Sequence, residues 1–257
     1  MEVDKAIFKI DLTSHIPPYH QIKENLREAV ENEALRPDDM LPSERELARI
    51  YGVSQFIVRQ AIEDLVREGL LHRVQGIGTF VAQPKVVQFF PTVLGFSARM
   101  RKSGHVTMNR VLSQQVEPAS PSVARRLHIP ENARVMHLVR LRIIDNEPLM
   151  IETSYLSLDR FPELLDDDLA VRSLYDILTT RYRIKIIELD QTLEPVLMTE
   201  YEAGLLESTP GSPAMLMEVV AFAGEQDPAD CSSPFEFSKA IVRGDKCQYY
   251  FRMRSTQ

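Results

Sequence analysis

The chain has 257 residues, of which 44% are hydrophobic and 26% are charged, a composition that argues against disorder. Its length favours two domains over a single small module. The formal net charge of −7 at pH 7 argues against a general affinity of the whole molecule for nucleic-acid phosphates, so any nucleic-acid binding must rest on a local arrangement of residues.

The first elements in chain order are three helices. Apolar residues at helical spacing predict an amphipathic helix from Pro18 to Leu35. Ser43 precedes Glu46 by three residues, a spacing typical of a capping box, and it predicts the start of a second helix that runs to about Tyr51. After the turn GVS, apolar residues spaced i, i+3, i+4 and i+7 predict a third helix over about 55–68.

A short hairpin and a linker follow the helices. The β-prone runs LLHRV and GTFVA flank QGIG, in which Gly76 and Gly78 permit unusual backbone angles. Three helices and this hairpin predict a winged helix-turn-helix over residues 1–82. The segment QPKVVQFFPTV, residues 83–93, has two prolines and no clear period, and we interpret it as a linker.

Residues 94–257 alternate between strand patterns and short helices. Helices are predicted at GFSARMRKSG, Pro121–Leu127, Ser173–Tyr182 and Thr199–Leu206. Strands are predicted at Thr107–Val116, Arg134–Asp145, Leu149–Leu156, Ile184–Glu194, Ala214–Ala223, Phe235–Val242 and Tyr249–Arg254. The segment DNEP at 145–148 is typical of a hairpin turn. The predicted fold class is therefore α+β, with a largely antiparallel sheet in the second domain.

The turn before the third helix raises the question of DNA binding. In a helix-turn-helix the second helix projects so that its first turns enter the major groove. Five residues near the start of the third helix lie off its buried stripe: Ser54, Gln55, Phe56, Arg59 and Gln60. Residues 43–82 carry five cations against five anions, so periodicity alone leaves an ordinary solvated helix face as an alternative.

The stretch LPSERELARIYGVSQFIVRQAIEDLVREGLLHRVQGIGTFV, within Pro18 to Val81, resembles the DNA-binding domain of the GntR family of bacterial transcription regulators. The shared motifs are the PSER opening, the GVS turn, the VRxA step, the EGL helix end and the QGxGTFV wing. The resemblance implies that Arg45 and Arg59 contact phosphates or guanine edges, which suits the guanidinium fork. It also implies that Ser54 binds a phosphate and that Gly76 lets the wing backbone reach the minor groove.

Two positions depart from the family pattern, which has Arg after the turn serine and Thr two residues later. This chain has Gln55 and Ile57 there. Because glutamine pairs bidentately with adenine rather than guanine, we expect an operator that differs from the common sequence of the family.

The part from about Val93 to Arg254 resembles the effector-binding (UTRA) domain of the HutC-type branch, which has a fold similar to chorismate lyase. The matching stretches are GFSARMRKSG, VRLRIIDNEPLMIETSYL, RSLYDIL and PFEFSKAIVRGD. In amino-sugar-phosphate sensors of this branch a tyrosine usually stands where this chain has Val242, which argues against an amino sugar but leaves a small polar or anionic effector.

Arg140 and Arg142 alternate along one predicted strand and therefore face the same side of the sheet. Two adjacent cations indicate an anionic ligand or nearby acids, and a solvated strand face is the alternative. The resemblance implies that these arginines bind a phosphate and that Glu152 and Glu236 bind ligand hydroxyls or amines. Either carboxylate could instead pair with Arg140 or Arg142.

The remaining candidates for effector binding lie at helix starts. Phe96 and Ser97 begin the predicted GFSARM helix, where free N–H groups favour an anion. Ser173 and Tyr175 would add a hydroxyl and an aromatic wall, although Tyr175 is equally plausible as a core residue.

Other site classes find little support. No nucleophile, base and acid set stands out, the six histidines have no metal-ligand spacing, and no cofactor is expected. Cys231 and Cys247 are interpreted as free thiols. No stretch reaches the roughly 18 apolar residues of a membrane span and no signal-peptide pattern begins the chain, so we expect a cytoplasmic protein without membrane contact.

The sequence thus predicts a homodimeric transcription repressor that binds a double-stranded, near-palindromic DNA operator under the control of a small polar or anionic metabolite such as a phosphosugar. The metabolite would reorient the DNA-binding domains through the linker. Two alternatives remain at this stage: a chorismate-lyase-like enzyme that acts on a small anionic substrate, and a constitutive DNA-binding dimer without an effector.

Overall fold

The computed structural model describes residues 7–90, 95–224 and 233–252, and the chain divides into two compact units. One unit comprises Met1–Val87 and Gly244–Gln248, and the other comprises Gln88–Arg243 and Tyr249–Gln257. No helix in the described ranges is long and apolar enough to cross a membrane. Cys247 is buried, whereas Cys231 lies outside the described residues.

The first unit is a winged helix-turn-helix, as predicted. Its helices are α1 (Pro18–Glu31), α2 (Glu44–Tyr51) and α3 (Gln55–Arg67), and its wing is the antiparallel pair β1 (Leu71–Val74) and β2 (Gly78–Val81). The helices meet in one apolar core that includes Ile22, Leu26, Leu47, Val58, Ile62 and Leu65. Helix α1 ends earlier than predicted, because Asn32 caps it and Glu33 has a φ of 57°.

Two local features set the angle between α2 and α3. The Ser43 hydroxyl accepts from the Glu46 backbone N–H at 3.2 Å, which is one of the two hydrogen bonds of the predicted capping box. At the other end of α2, Gly52 has a φ of 70°, a left-handed conformation that favours glycine, and its N–H bonds to the Ala48 carbonyl. The chain therefore changes direction sharply within the three residues between α2 and α3.

The second unit is built on a six-stranded antiparallel sheet in the order β4-β5-β6-β9-β8-β7. The strands are β4 (Thr107–Pro118), β5 (Arg134–Ile144), β6 (Glu147–Ser157), β7 (Ile186–Leu197), β8 (Pro213–Ala223) and β9 (Ser233–Arg243). The helices are α4 (Phe96–Lys102), α5 (Pro121–Leu127), α6 (Leu174–Thr180) and α7 (Glu200–Leu205). The α+β class and the antiparallel sheet are thus confirmed.

The two faces of this sheet have separate cores. Residues of α6 pack with Met136, Leu138 and Leu156 on one face. On the other face, α5 packs near Val135 and Phe237, and Ala203 of α7 packs with Leu141 and Ile151. Since side chains alternate along a strand, Arg140 and Arg142 lie on the same face as Met136 and Leu138.

The predicted linker contains a strand. Residues Val86–Phe90 form β3, which pairs with β10 (Cys247–Phe251) in a two-stranded sheet. The run VVQFF is rich in β-branched and aromatic residues, but its partner lies about 160 residues further along the chain. A local search for periodicity therefore could not recognise it.

Candidate DNA-binding surface and effector site

The start of α3 presents a polar, exposed face. Ser54 occupies the N-cap position, and its side chain makes no capping hydrogen bond. Gln55, Phe56, Arg59 and Gln60 are all exposed, with Phe56 73% exposed, while Val58, Ala61, Ile62 and Leu65 are buried on the opposite side. Arg45 on α2 is also exposed. None of the side chains that the sequence analysis predicted to contact DNA is therefore buried in the apolar core.

The carboxylate of Glu44, at the start of α2, forms hydrogen bonds with residues of two other elements, α3 and the wing. Its Oε2 accepts from Arg59 Nε of α3 at 3.0 Å, and its Oε1 accepts from Arg73 Nη2 of the wing at 2.9 Å. The Gln55 amide Nε2 lies 3.4 Å from the same Oε2. The structure thus brings Gln55 and Arg59 together around an acid that the sequence analysis did not single out.

The wing forms one wall of a cavity of about 530 Å³ whose lining includes Glu44, Arg45, Gln55, Arg73 and Gly76. Gly76 has a φ of 75°, and an added Cβ there would meet no atom within 4 Å. Glycine is therefore needed at the wing tip for backbone conformation rather than for space.

The second candidate site centres on two buried arginines of β5. Arg140 lies directly opposite Glu152 of β6 in the strand register, and its Nη2 donates to Glu152 Oε2 at 2.6 Å. Arg142 donates to the same oxygen from Nε at 3.0 Å and also from Nη2. The sequence left open whether Glu152 pairs with these arginines, and the structure shows that it pairs with both.

Arg140 is only partly satisfied by these contacts. It is fully buried, and its Nε and Nη1 have no hydrogen-bond partner among the described residues. Burial, together with the neighbouring charge of Arg142, lowers the pKa of Arg140 to about 10, so the group remains charged at neutral pH. A buried donor without an acceptor is destabilising, so this arrangement points to an acceptor supplied by a ligand.

Glu236 and Tyr175 form a buried pair next to the arginines. The Tyr175 hydroxyl donates to Glu236 Oε2 at 2.6 Å. Burial and the charge of Glu152 raise the pKa of Glu236, while burial and Glu236 raise the pKa of Tyr175 well above its ordinary value. Burial would also raise the pKa of Glu152, but Arg142 and Arg140 outweigh it and lower that pKa. The pKa values of the two carboxyls are thus shifted in opposite directions, and the arginines favour the ionised form of Glu152.

Helices α4 and α6 supply the other predicted residues. The Arg142 guanidinium lies 5.2 Å from the centre of the Phe96 ring, and Ser97 is buried in the first turn of α4. The Ser173 hydroxyl caps α6 by accepting from the Asp176 N–H at 3.3 Å. Ser173 therefore has a structural partner, whereas Phe96 contacts the arginine cluster directly.

Sequence reasoning missed two residues of this cluster. Asn109 Oδ1 accepts from Arg142 Nη1 at 2.7 Å, and β4 places Asn109 directly opposite Arg142. Arg99 on α4 lies close enough to act on the ionisation of Glu152 and Tyr175. The pairing of β4 with β5 would have identified Asn109, but that register is not visible in the sequence pattern.

Comparison with known families gives two matches that together span most of the chain. Residues 18–81 match the family described as bacterial regulatory proteins, gntR family, and residues 102–248 match the UTRA domain. The transcriptional repressor NagR of Bacillus subtilis is 32% identical over 244 residues, which cover 95% of this chain and 98% of the relative.

Two further relatives are also named as repressors. A probable fructoselysine utilization operon repressor of Escherichia coli K12 is 31% identical and covers 88% of this chain and 92% of its own length. The histidine utilization repressor of Klebsiella aerogenes is 29% identical over 78% of this chain and 83% of its own length.

Solved structures show the same architecture. The crystal structure of PhnF from Mycobacterium smegmatis superposes with a TM-score of 0.63 at 25% identity, over 91% of this chain and 99% of that one. The possible regulator YydK from Bacillus subtilis gives a TM-score of 0.56 at 22% identity, over 93% of this chain and all of that one, and this likeness concerns the fold alone.

Proposed function

Because this chain belongs to the GntR family of bacterial regulatory proteins, in its HutC-type branch with a UTRA domain, we propose that it is a homodimeric repressor whose operator is released when a phosphosugar or similar anionic metabolite binds. GntR regulators bind DNA operators and UTRA domains bind effector metabolites, so the chain is a transcription regulator and not an enzyme. The proposal that the chain represses transcription, rather than activating it, is supported by NagR and the two utilization repressors, each of which is named a repressor.

The observation that carries the effector class is the unsatisfied guanidinium of Arg140. Two buried arginines bond to one carboxylate, Glu152, so their combined positive charge exceeds the charge of the acid they share. A phosphate offers acceptor oxygens that match the guanidinium geometry. The neighbouring Glu236 and Tyr175 can exchange hydrogen bonds with sugar hydroxyls. We assign effector contact to Phe96, Ser97, Arg140, Arg142, Glu152, Ser173, Tyr175 and Glu236.

We assign operator contact to Arg45, Ser54, Gln55, Phe56, Arg59, Gln60 and Gly76. Their exposure at the start of α3, on α2 and at the wing tip supports this assignment. An effector that releases the operator must prefer the arrangement of the two DNA-binding domains that fits DNA poorly.

The effector proposal is tested by ligand-induced thermal stabilisation. A metabolite that binds only the folded protein raises its melting temperature, so phosphosugars, amino acids and carboxylates are compared at equal concentration. We expect a phosphosugar to give the largest shift in the wild-type protein. Arg140→Met should abolish that shift, because it removes the guanidinium whose Nε and Nη1 lack acceptors among the described residues and keeps a similar side-chain volume.

Arg110→Met is the matched control, because Arg110 is exposed on the adjacent strand β4. It should leave the shift intact. A shift that survives Arg140→Met would refute the proposed anion site, and a panel without any shift would favour a constitutive DNA-binding dimer.

A further inference from the structure

The contacts of Glu44 point to a role in DNA selection beyond direct contact with the operator. We infer that Glu44 is a positioning residue that holds Arg59 and Arg73 in the DNA-free protein and lowers its affinity for DNA of unrelated sequence. This inference rests on the DNA-binding function of the first unit. It assigns a role to an acid on a surface that must bind a polyanion.

The geometry makes Glu44 the common partner of two cations that come from different elements. Arg59 is on α3 and Arg73 is on β1 of the wing, and each bonds to a different oxygen of the Glu44 carboxylate. The Glu44 side chain is 20% exposed, whereas the side chains of Arg59 and Arg73 are 52% and 41% exposed. The acid therefore lies sheltered beneath two cations that face solvent.

Such a pairing acts most strongly on non-specific binding. Non-specific affinity comes almost entirely from cations that neutralise phosphates and release counterions. When Arg59 and Arg73 are already paired, each phosphate contact must replace a carboxylate contact, and the carboxylate itself repels the DNA backbone. At the operator, an arginine released from Glu44 can form a bidentate contact with a guanine edge, which random-sequence DNA does not offer in the same register, so the ratio of specific to non-specific affinity rises.

The unusual residue Gln55 fits the same scheme. The family pattern has arginine at this position, which would add a third cation around Glu44. Glutamine instead places its amide 3.4 Å from Glu44 Oε2, so the full charge of the acid remains available to Arg59 and Arg73. Glu44 also begins α2, where an acid interacts favourably with the helix dipole, and this structural role has to be separated in the experiment.

The test compares Glu44→Gln with wild type by fluorescence anisotropy, using a labelled random-sequence duplex and a duplex that the wild-type protein selects from a random library. We expect non-specific affinity to rise about tenfold at low salt, because two exposed pairs no longer oppose it. The slope of log K against log salt concentration should steepen by about 1 to 2, since each additional phosphate contact adds about 0.9. Glu44→Asp should remain close to wild type.

Glu63→Gln provides a matched control, because it removes the same charge from α3 and lies 3.8 Å from Arg73 without contacting Arg59. A rise of equal size with Glu63→Gln would overturn the inference in favour of a general charge effect. An unchanged salt slope with a lower melting temperature would reduce Glu44 to a structural residue. If wild type bound neither duplex, DNA binding itself would fail, whereas binding without a Glu44→Gln effect would refute this inference alone.

Discussion

Glu236, which we propose to contact the effector, illustrates how a single buried residue can lower the stability of the fold. The residue is 2% exposed and its carboxyl lies near Glu152, so both burial and like charge disfavour the ionised form of Glu236. A carboxyl whose pKa is raised by folding lowers the free energy of unfolding once the pH exceeds the ordinary glutamate pKa. Retaining such a group is consistent with a role in binding rather than in folding.

We therefore predict that Glu236→Gln stabilises the ligand-free protein at neutral pH. The amide carbonyl still accepts from Tyr175, but the ionisation penalty is absent, so the melting temperature should rise by about 2 to 4 °C, the shift that about 1 kcal/mol produces in a chain of this size. The gain should shrink as the pH falls and disappear below the ordinary glutamate pKa, where wild-type Glu236 is protonated in both the folded and the unfolded state.

Circular dichroism melts of both proteins at neutral and acidic pH measure this difference. A lower melting temperature of Glu236→Gln at neutral pH would contradict the prediction. The same variant should lose the ligand-induced shift, because it removes an acceptor proposed for a sugar hydroxyl.

At the scale of elements, the β5–β6 hairpin decides which residues form the cluster. Asp145 and Asn146 have φ angles of 50° and 69°, as expected for the predicted turn, and the register that follows places Arg140 opposite Glu152. A slip by one residue would move the arginines to the other face of the sheet. The turn residues therefore contribute to the cluster, although Asp145 lies five residues from Arg140 and Asn146 lies six residues from Glu152.

The start of α4 gives a prediction at this scale. A Cβ at Gly95, the N-cap of α4, would lie 2.8 Å from Cγ of Tyr175, which is too close for any real contact. Gly95→Ala must therefore displace α4 or the Tyr175 ring, and the latter donates to Glu236. We expect a lower melting temperature and at least a tenfold weaker response to the effector, since a shift of about 1 Å can have effects of that size or larger.

Gly204→Ala is the control for this substitution. Gly204 lies in α7, and a Cβ there would meet nothing within 4 Å, so the change should be neutral or slightly stabilising. We would titrate Gly95→Ala and Gly204→Ala with the effector and compare the ligand-induced rise in their melting temperatures. An unaltered response in Gly95→Ala would show that α4 and Tyr175 do not shape the site.

At the scale of the whole molecule, the net charge of −7 and the short helix α3 limit how tightly and how specifically one chain can bind DNA. One helix reads too few base pairs to locate a site in a genome, and the acidic chain gains little from general attraction to DNA. We therefore predict that two copies bind one near-palindromic operator. Sedimentation with a labelled duplex should give two chains per operator, and a duplex with a single half-site should bind at least a hundredfold more weakly.

A stoichiometry of one chain per operator, or equal affinity for the single half-site, would contradict the dimer. The selected duplex also tests the departure at Gln55. We expect the half-site selected by the wild-type protein to be enriched in adenine, and the half-site selected by Gln55→Arg to be enriched in guanine at the same position. That change would show that Gln55 contacts the base edge directly.

Features that depend on neighbours along the chain could be predicted from the sequence. The cap at Ser43, the buried stripe from Val58 to Leu65 and the turn at Asp145 each involve residues within about eight positions, so local spacing was sufficient. The family motifs added the candidate site residues, and their roles in binding remain predictions.

Other features depended on contacts between residues far apart in the chain, and only the tertiary structure decided them. The pairing of β3 with β10, the sharing of Glu152 by two arginines and the grouping of Arg59 with Arg73 around Glu44 all depend on strand register and helix packing. The sequence predicted the buried stripes of the helices, but it left open whether Arg140 and Arg142 face solvent. Which of them meet was settled by the burial of apolar faces, because that burial fixes how the elements dock and the register in which they pair.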